Sequence, residues 1–201
     1  MPKKETIKKA LIEISSVVFA VLLALGLNHW REDYSDKKLA EKTLQNIIIE
    51  IKSNIKDLDA EVLEYQTMYD TLILRKKNIE KGKVVNMSLR YNHTILSSSA
   101  WRIANSTGSV KDLDLEIMMD LSDLYTIQEI FQKNGFEYFK AFTSLDAQKK
   151  ENEADFLNSF LKQIYILKSW GKGLSDGYRE FLVAHEDKLI EVIHIDSLKV
   201  D

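Results

Sequence analysis

The chain opens with Lys3, Lys4, Lys8 and Lys9 and then becomes apolar on every side. Across residues 14–27 only Ser15 and Ser16 are polar. Extending back to residue 10 gives 18 residues and takes in Glu13. At a rise of about 1.5 Å per residue this is ~27 Å of helix, just short of a typical hydrocarbon core. Asn28, His29, Trp30 and Arg31 follow, and an amphipathic tryptophan suits the membrane–water boundary. The pattern predicts a basic segment over residues 1–9 and a transmembrane helix over residues 10–30, with Lys8, Lys9, Trp30 and Arg31 at the interfaces. Two other readings compete. A cleaved signal peptide would explain the lysines, the short apolar run and the small pair Ala24 and Gly26, but the helical pattern continues past any cut. A buried core helix would explain the modest length.

From Leu44 onward the pattern changes from all-round to striped. Leu44, Ile48, Ile51, Ile55, Leu58, Val62, Tyr65, Tyr69 and Leu72 alternate in steps of four and three, a heptad seam with β-branched residues at several a positions. Ser16, Ala20 and Ala24 form a stripe of small residues that lets another helix approach closely, and the same register carried backwards, through Leu27, Leu23, Ala20, Ser16 and Glu13, puts that stripe largely on the seam. The expected consequence is a stalk helix over residues 31–82 that self-associates along Glu13, Ser16, Ala20, Ala24, Ile48, Ile51, Ile55, Leu58 and Val62. The stripe is wider than a and d, because Ile47, Leu63 and Ile73 contribute, so the chain's own later helices are an alternative partner. Glu13 is read either as a functional charge in the apolar stretch or as a headgroup-level residue paired with Lys9. Gly82 stands where a helix-ending glycine belongs, after a last turn rich in Arg75, Lys76, Lys77 and Lys81.

Residues 83–201 read as a C-terminal helical bundle packing on or beyond the stalk. Residues 84–94 form a polar connection. Ser97, Ser98 and Ser99 start a short helix that Gly108 ends. Leu113, Ile117, Leu121, Leu124 and Phe131 mark a second helix closed by Asn134-Gly135, and Phe136, Phe139, Phe142 and Leu145 begin another. A polar stretch over 146–155 precedes Phe156, Phe160, Ile164 and Leu167, with a turn at Gly171 and Gly173. Tyr178, Phe181, Leu182, Leu189 and Val192 lie on the last helix. The predicted fold class is therefore all-α: a single transmembrane helix continuing into a heptad-patterned helix, followed by a helical bundle.

Composition narrows the chemistry. The only proline is Pro2, which removes the strongest helix breaker from the rest of the chain. There is no cysteine, so disulfides, thiolate metal sites and a cysteine nucleophile are excluded. A net charge of −3 supplies no basic field for nucleic acid. His29, His93, His185 and His194 form no H-E-x-x-H motif, and the chain lacks G-x-S-x-G, a P-loop and G-x-G-x-x-G. Asp112 with Asp114, and Glu151 with Glu153, read as capping and solvation. Asn86, Asn92 and Asn105 begin glycosylation sequons that matter only in a glycosylating source. No catalytic residue, cofactor or metal is expected.

Glu13-Ile14, an apolar run with Leu22-Leu23-Ala24-Leu25, and Asn28-His29-Trp30-Arg31-Glu32 resemble the N-terminal anchor of a family of small bacterial single-pass membrane proteins, common in Bacteroidetes and related marine bacteria. Residues 100–108, from Ala100-Trp101 to Gly108, with Leu113 and residues 121–125, are similar to that family's second block. The two blocks cover about a quarter of the chain. This sequence departs in carrying Leu11-Ile12 where glycine often precedes the glutamate. The resemblance implies a one-span, helix-rich protein and supplies no catalytic residues, because the family has no assigned activity.

The function expected from these features is that of a non-enzymatic, membrane-anchored scaffold or accessory subunit of a bacterial inner membrane, with membrane lipid and a sister chain or membrane complex as partners. Lys8 and Lys9 lie closer to the span than Arg31, Lys37, Lys38 and Lys42, which places the N-terminus in the cytoplasm and the bundle in the periplasm. The alternative is a sensor or ligand-binding module with a pocket formed by Trp101, Phe136, Phe139 and Phe142.

Overall fold

The structure, a computed structural model, describes residues 4–82, 91–143 and 153–190. The expectations placed on residues 84–90, Leu145, residues 146–152, Val192 and His194 lie outside the described residues. Every regular element among the described residues is helical, as the pattern predicted: α1 (Lys4–Glu80), α2 (Ser99–Thr107), a 3-10 turn (Ser109–Asp112), α3 (Leu115–Thr143) and α4 (Glu153–Ala184). A further helical stretch covers residues 186–190.

α1 runs unbroken for 77 residues, roughly 115 Å at the α-helical rise. Gly82 terminates it in the left-handed region at φ 70°. Its N–H donates to Ile79 O at 2.9 Å, a conformation that favours glycine because it lacks Cβ. Gly108 ends α2 the same way, at φ 73°. From Ala40 onward α1 is one column of an up-down-up-down bundle. Residues 91–112 descend beside it, since Thr94, Ser97 and Ala100 meet Glu61, Asn54 and Glu50 in turn. α3 climbs again, with Tyr125 at Glu50 and Gln128 at Asn54. α4 returns, from Asn158 beside Lys76 to Ser175 beside Asp59. Leu44, Ile47, Ile51, Leu58 and Leu72 of α1 share one core with Ile117, Leu121 and Phe131 of α3 and Phe160, Ile164, Leu167 and Tyr178 of α4.

This packing corrects the assignment of the stalk seam to a sister chain. Ile48, Ile51 and Leu58 are at most 3% exposed within a single chain, Ile55 packs on the same core, and Val62 Cγ2 lies against Gly171 of α4. The stripe is filled intramolecularly because it spans a, d and g positions, the width a bundle helix needs, rather than a two-position coiled-coil seam. Leu63 is not part of it and is 67% exposed.

Two predicted helix ends are also corrected. α3 passes through Gly135, and α4 passes through Gly171, Gly173 and Gly177. Glycine costs a helix about 1 kcal/mol relative to alanine. At Gly171 and Gly177 that cost accompanies close packing, since a Cβ would lie 3.1 Å from Val62 Cγ2 and 3.2 Å from Leu124 Cδ2. Asp114 does cap α3, as expected of it, with Oδ1 accepting from Glu116 N at 3.0 Å.

Candidate functional site

Two features stand apart from an ordinary bundle. The first is the N-terminal part of α1. An 18-residue window within it reaches a mean hydropathy of 2.1, with none of that window buried, so it is long and apolar enough to cross a membrane. Residues 11–35 are exposed all round. Of the predicted seam residues, Glu13, Ser16, Ala20 and Ala24 lie here and are uncovered, and Ser16 Oγ donates to Glu13 O at 2.8 Å. The predicted interface residues Lys8, Lys9, Trp30 and Arg31 are exposed as well.

The second feature is a non-helical strap, residues 91–98, laid between α1 and α3, with Tyr91 and Leu96 buried and Asn92, Ile95 and Ser97 exposed. Between Thr94 and Ser97 three residues match the seven between Glu61 and Asn54, about 10 Å on either path, so the strap is fully extended. An extended segment inside a helical bundle has no neighbouring strand, and its buried backbone groups need other partners. Side chains provide them. Thr94 N–H donates to Glu61 Oε1 at 2.9 Å, and Gln132 Nε2 donates to Thr94 O at 2.8 Å. Asn54 takes the place of a strand neighbour at Ser97: its Oδ1 accepts from the N–H at 2.9 Å and its Nδ2 donates to the carbonyl at 2.8 Å. Gln128 Nε2 adds a bond to the same carbonyl at 3.0 Å. Tyr178 OH in turn donates to Gln128 Oε1.

Glu50 closes the lower end. Ser98 makes no side-chain cap on α2. Instead Glu50 Oε2 accepts from Ala100 N–H at 3.0 Å and from Ser97 Oγ at 2.5 Å, and its Oε1 accepts from Tyr125 OH at 2.7 Å. A carboxylate at a helix N-terminus is favoured by the free N–H groups there. Burial raises the Glu50 pKa, but these donors outweigh it and hold the carboxyl below its usual 4.5.

Glu61 closes the upper end. Its Oε1 accepts from Tyr65 OH at 2.6 Å and pairs with His93 Nδ1 at 2.7 Å. The His93 and Glu61 side chains are only 2% and 1% exposed. Glu61 Oε2 and His93 Nε2 have no partner among the described residues. The imidazole stands edge-on to Phe136 and tilted on Phe131, with Nε2 directed at the backbone of Gly135, where a Cβ would lie only 2.1 Å away. Tyr91 OH donates to Gly135 O at 2.9 Å. Gly135 is therefore the residue that admits the histidine, which explains a glycine inside a continuous helix. Burial pushes Tyr91 up to about 12. It also raises Tyr65, where Glu61 adds to the effect, and Tyr125, where the bond to Glu50 does. A carboxylate, an imidazole and a phenol in mutual contact could relay a proton, yet here they are sealed in the core and fasten the strap.

The pocket expected from Trp101, Phe136, Phe139 and Phe142 does not form. Trp101 stacks on Tyr125, with ring centroids 5.3 Å apart, and lines an open groove of about 880 Å³ between α2 and α3 with Arg102, Asn105, Thr126, Glu129 and Gln132. Phe142 instead stacks on Phe160 at 4.7 Å, and Phe139 on Tyr91 at 5.9 Å. The polar clamps were missed in the sequence, although a trace was there. Ile47, Asn54, Glu61 and Met68 recur every seven residues on the core face, and polar residues in such a column mark buried hydrogen bonding. Among the described residues no group of three or more His, Cys, Asp or Glu side chains is placed to hold a metal.

No protein-family model matches the chain, and no curated protein or solved structure matches it either.

Proposed function

We propose that the protein is a membrane-anchored, non-enzymatic scaffold or accessory subunit, with its N-terminus in the cytoplasm of a bacterium and its helical head on the periplasmic side of the inner membrane. The observation that carries this reading is the contrast within α1: residues 11–27, apolar but for Glu13, Ser15 and Ser16, are exposed all round, while the same helix is clad by the head from Ala40. Such a surface calls for lipid or another protein around it. The sealing of Glu61 and His93 supports a structural role for this acid–base cluster. With the stalk seam filled by α4, self-association or joining of a membrane complex falls to the membrane helix, along Glu13, Ser16, Ala20 and Ala24.

Membrane fractionation tests the anchor. The full chain is expected in the membrane pellet after a carbonate wash, and Leu22→Asp with Val18→Asp is expected to release it in folded form. Recovery of the unaltered chain as a soluble protein would overturn the reading. Mass photometry in detergent, comparing the unaltered chain with Ala20→Leu, tests association through the span: the variant is expected to shift toward monomer. A strict monomer in both would leave only the role of subunit in a larger complex.

The groove between α2 and α3 favours one second reading, a ligand-binding head. Trp101 forms part of its wall, so a ligand there would change tryptophan emission in a way that Trp101→Phe abolishes.

A further inference from the structure

The head and the apolar segment belong to one continuous helix, which sets the height of the head above any bilayer that α1 crosses. Asp36 is nine residues beyond Leu27, about 13 Å along the helix axis. The interfacial layer of one leaflet takes up roughly 5–8 Å of that distance. Trp30 and Tyr34, one helical turn apart and both exposed, occupy this interval. The base of the head begins at Asp36, roughly 5–8 Å above that layer. Lys111 of the 3-10 turn reaches down to Asp36 at 3.4 Å. Lys188, beyond the end of α4, contacts Asp114 at 3.0 Å, just ahead of the first turn of α3. An ordinary transmembrane tilt of about 20° lowers one flank of a base two helices wide by several Å, which closes that gap on one side.

We infer that this base, formed by the 3-10 turn, the start of α3 and the chain near Ile190, is a lipid-contacting surface that lies on the headgroup layer, with Leu115 and Ile190 as its apolar contacts. Leu115 and Ile190 are 66% and 46% exposed, at the only end of the head that the anchor holds close to the bilayer. The two lysines of this base are already paired: Lys111 with Asp36 and Asp112, and Lys188 with Asp114 and Glu116. The surface is therefore held by the geometry of α1 and by apolar contact rather than by attraction to anionic lipid, and it works on a neutral bilayer. Its consequence is a head held at a fixed tilt, which leaves its distal end open to a partner. This inference rests on the membrane-anchored reading above.

The chain lacks cysteine, so single-cysteine variants of the full protein report cleanly. Leu115→Cys and Ile190→Cys at the base, Lys77→Cys at the distal end and Phe19→Cys in the span would each carry a small fluorophore in phosphatidylcholine vesicles. Quenching by a lipid bearing a headgroup nitroxide is expected to be severalfold stronger at 115 and 190 than at 77, and to persist at high salt. Equal, weak quenching at 115, 190 and 77, with position 19 quenched by an acyl-chain nitroxide, would overturn the inference and leave the anchor standing. Loss of base quenching at high salt would overturn the apolar mode of contact. Absence of quenching at position 19 would remove the anchor itself, and the inference with it.

Discussion

The two halves of α1 are a comparison made within one helix. Residues 11–39 and 40–80 share the same backbone geometry and the same freedom from proline, and both are rich in Ile, Leu and Val. In the first half apolar side chains surround the axis and all are exposed. In the second they occupy a stripe, and the stripe is buried. Both total hydrophobicity and its angular distribution separate the two: the first half holds an 18-residue window of mean hydropathy 2.1, and its apolar side chains go all round the axis where the second half gathers most of them on one face. A bundle column must leave a polar flank for water, whereas a segment in lipid need not.

Substitution breaks this comparison most sharply. Ile51→Asp places an unpaired charge at a site that is 0% exposed, and the head is expected not to fold, as read by near-ultraviolet circular dichroism in detergent. Leu23→Ala in the other half is expected to leave urea denaturation within about 0.5 kcal/mol of the unaltered chain. Equal losses in the two halves would mean that the apolar segment is buried in the fold after all.

Next in size is a contrast between two helical glycines. Gly135→Ala is expected to cost roughly 3 kcal/mol, because the new methyl group drives the His93 ring from its partner Glu61. In a His93→Ala background the same change should become neutral or slightly stabilising. Gly173→Ala, with no atom of the described residues near its Cβ, should stabilise by about 0.5–1 kcal/mol through helix propensity alone. Asn54→Ala removes the two Asn54 bonds at Ser97, leaving its carbonyl the one from Gln128, and is expected to cost about 1–3 kcal/mol, with faster amide exchange confined to the strap and its flanks.

Titration gives the smallest and most graded effects. A tyrosine whose folded pKa lies above 10 stabilises the fold below pH 10, and that contribution is lost as pH rises further. Tyr91, at about 12, and Tyr65, Tyr125 and Tyr178, also raised, should stay protonated until the head unfolds. Absorbance at 295 nm should then show a late, cooperative step after the exposed tyrosines ionise. Glu50 acts in the opposite direction. Its depressed carboxyl contributes stability above pH 4.5 that is lost as pH falls through the folded value, and Glu50→Gln should flatten this acid limb.

Much of this was legible before any coordinates. The all-round run at 14–27, the stripe from Leu44 to Leu72 and the stops at Gly82 and Gly108 identify the helices, because each depends on local periodicity or on a conformation glycine favours. The glycines inside α3 and α4 misled, since Gly135 answers to a histidine 42 positions earlier and Gly171 to Val62. Neither neighbour can be known from local sequence. The clamps at Glu50, Asn54 and Glu61 escaped for the same reason: a polar residue on a mostly apolar face looks like surface until something that needs its hydrogen bonds is laid across it.

The sequence by itself determined that this chain is helical, that one segment is suited to lipid, and that a long amphipathic face had to be covered. Those properties belong to single helices. Only the tertiary structure decided that α4 covers the face instead of a sister chain, that an extended strap replaces half a helix, and that Gly135 makes room for His93. These depend on pairings across 31 to 120 residues, where the packing of one surface against another selects among arrangements that local preference leaves open.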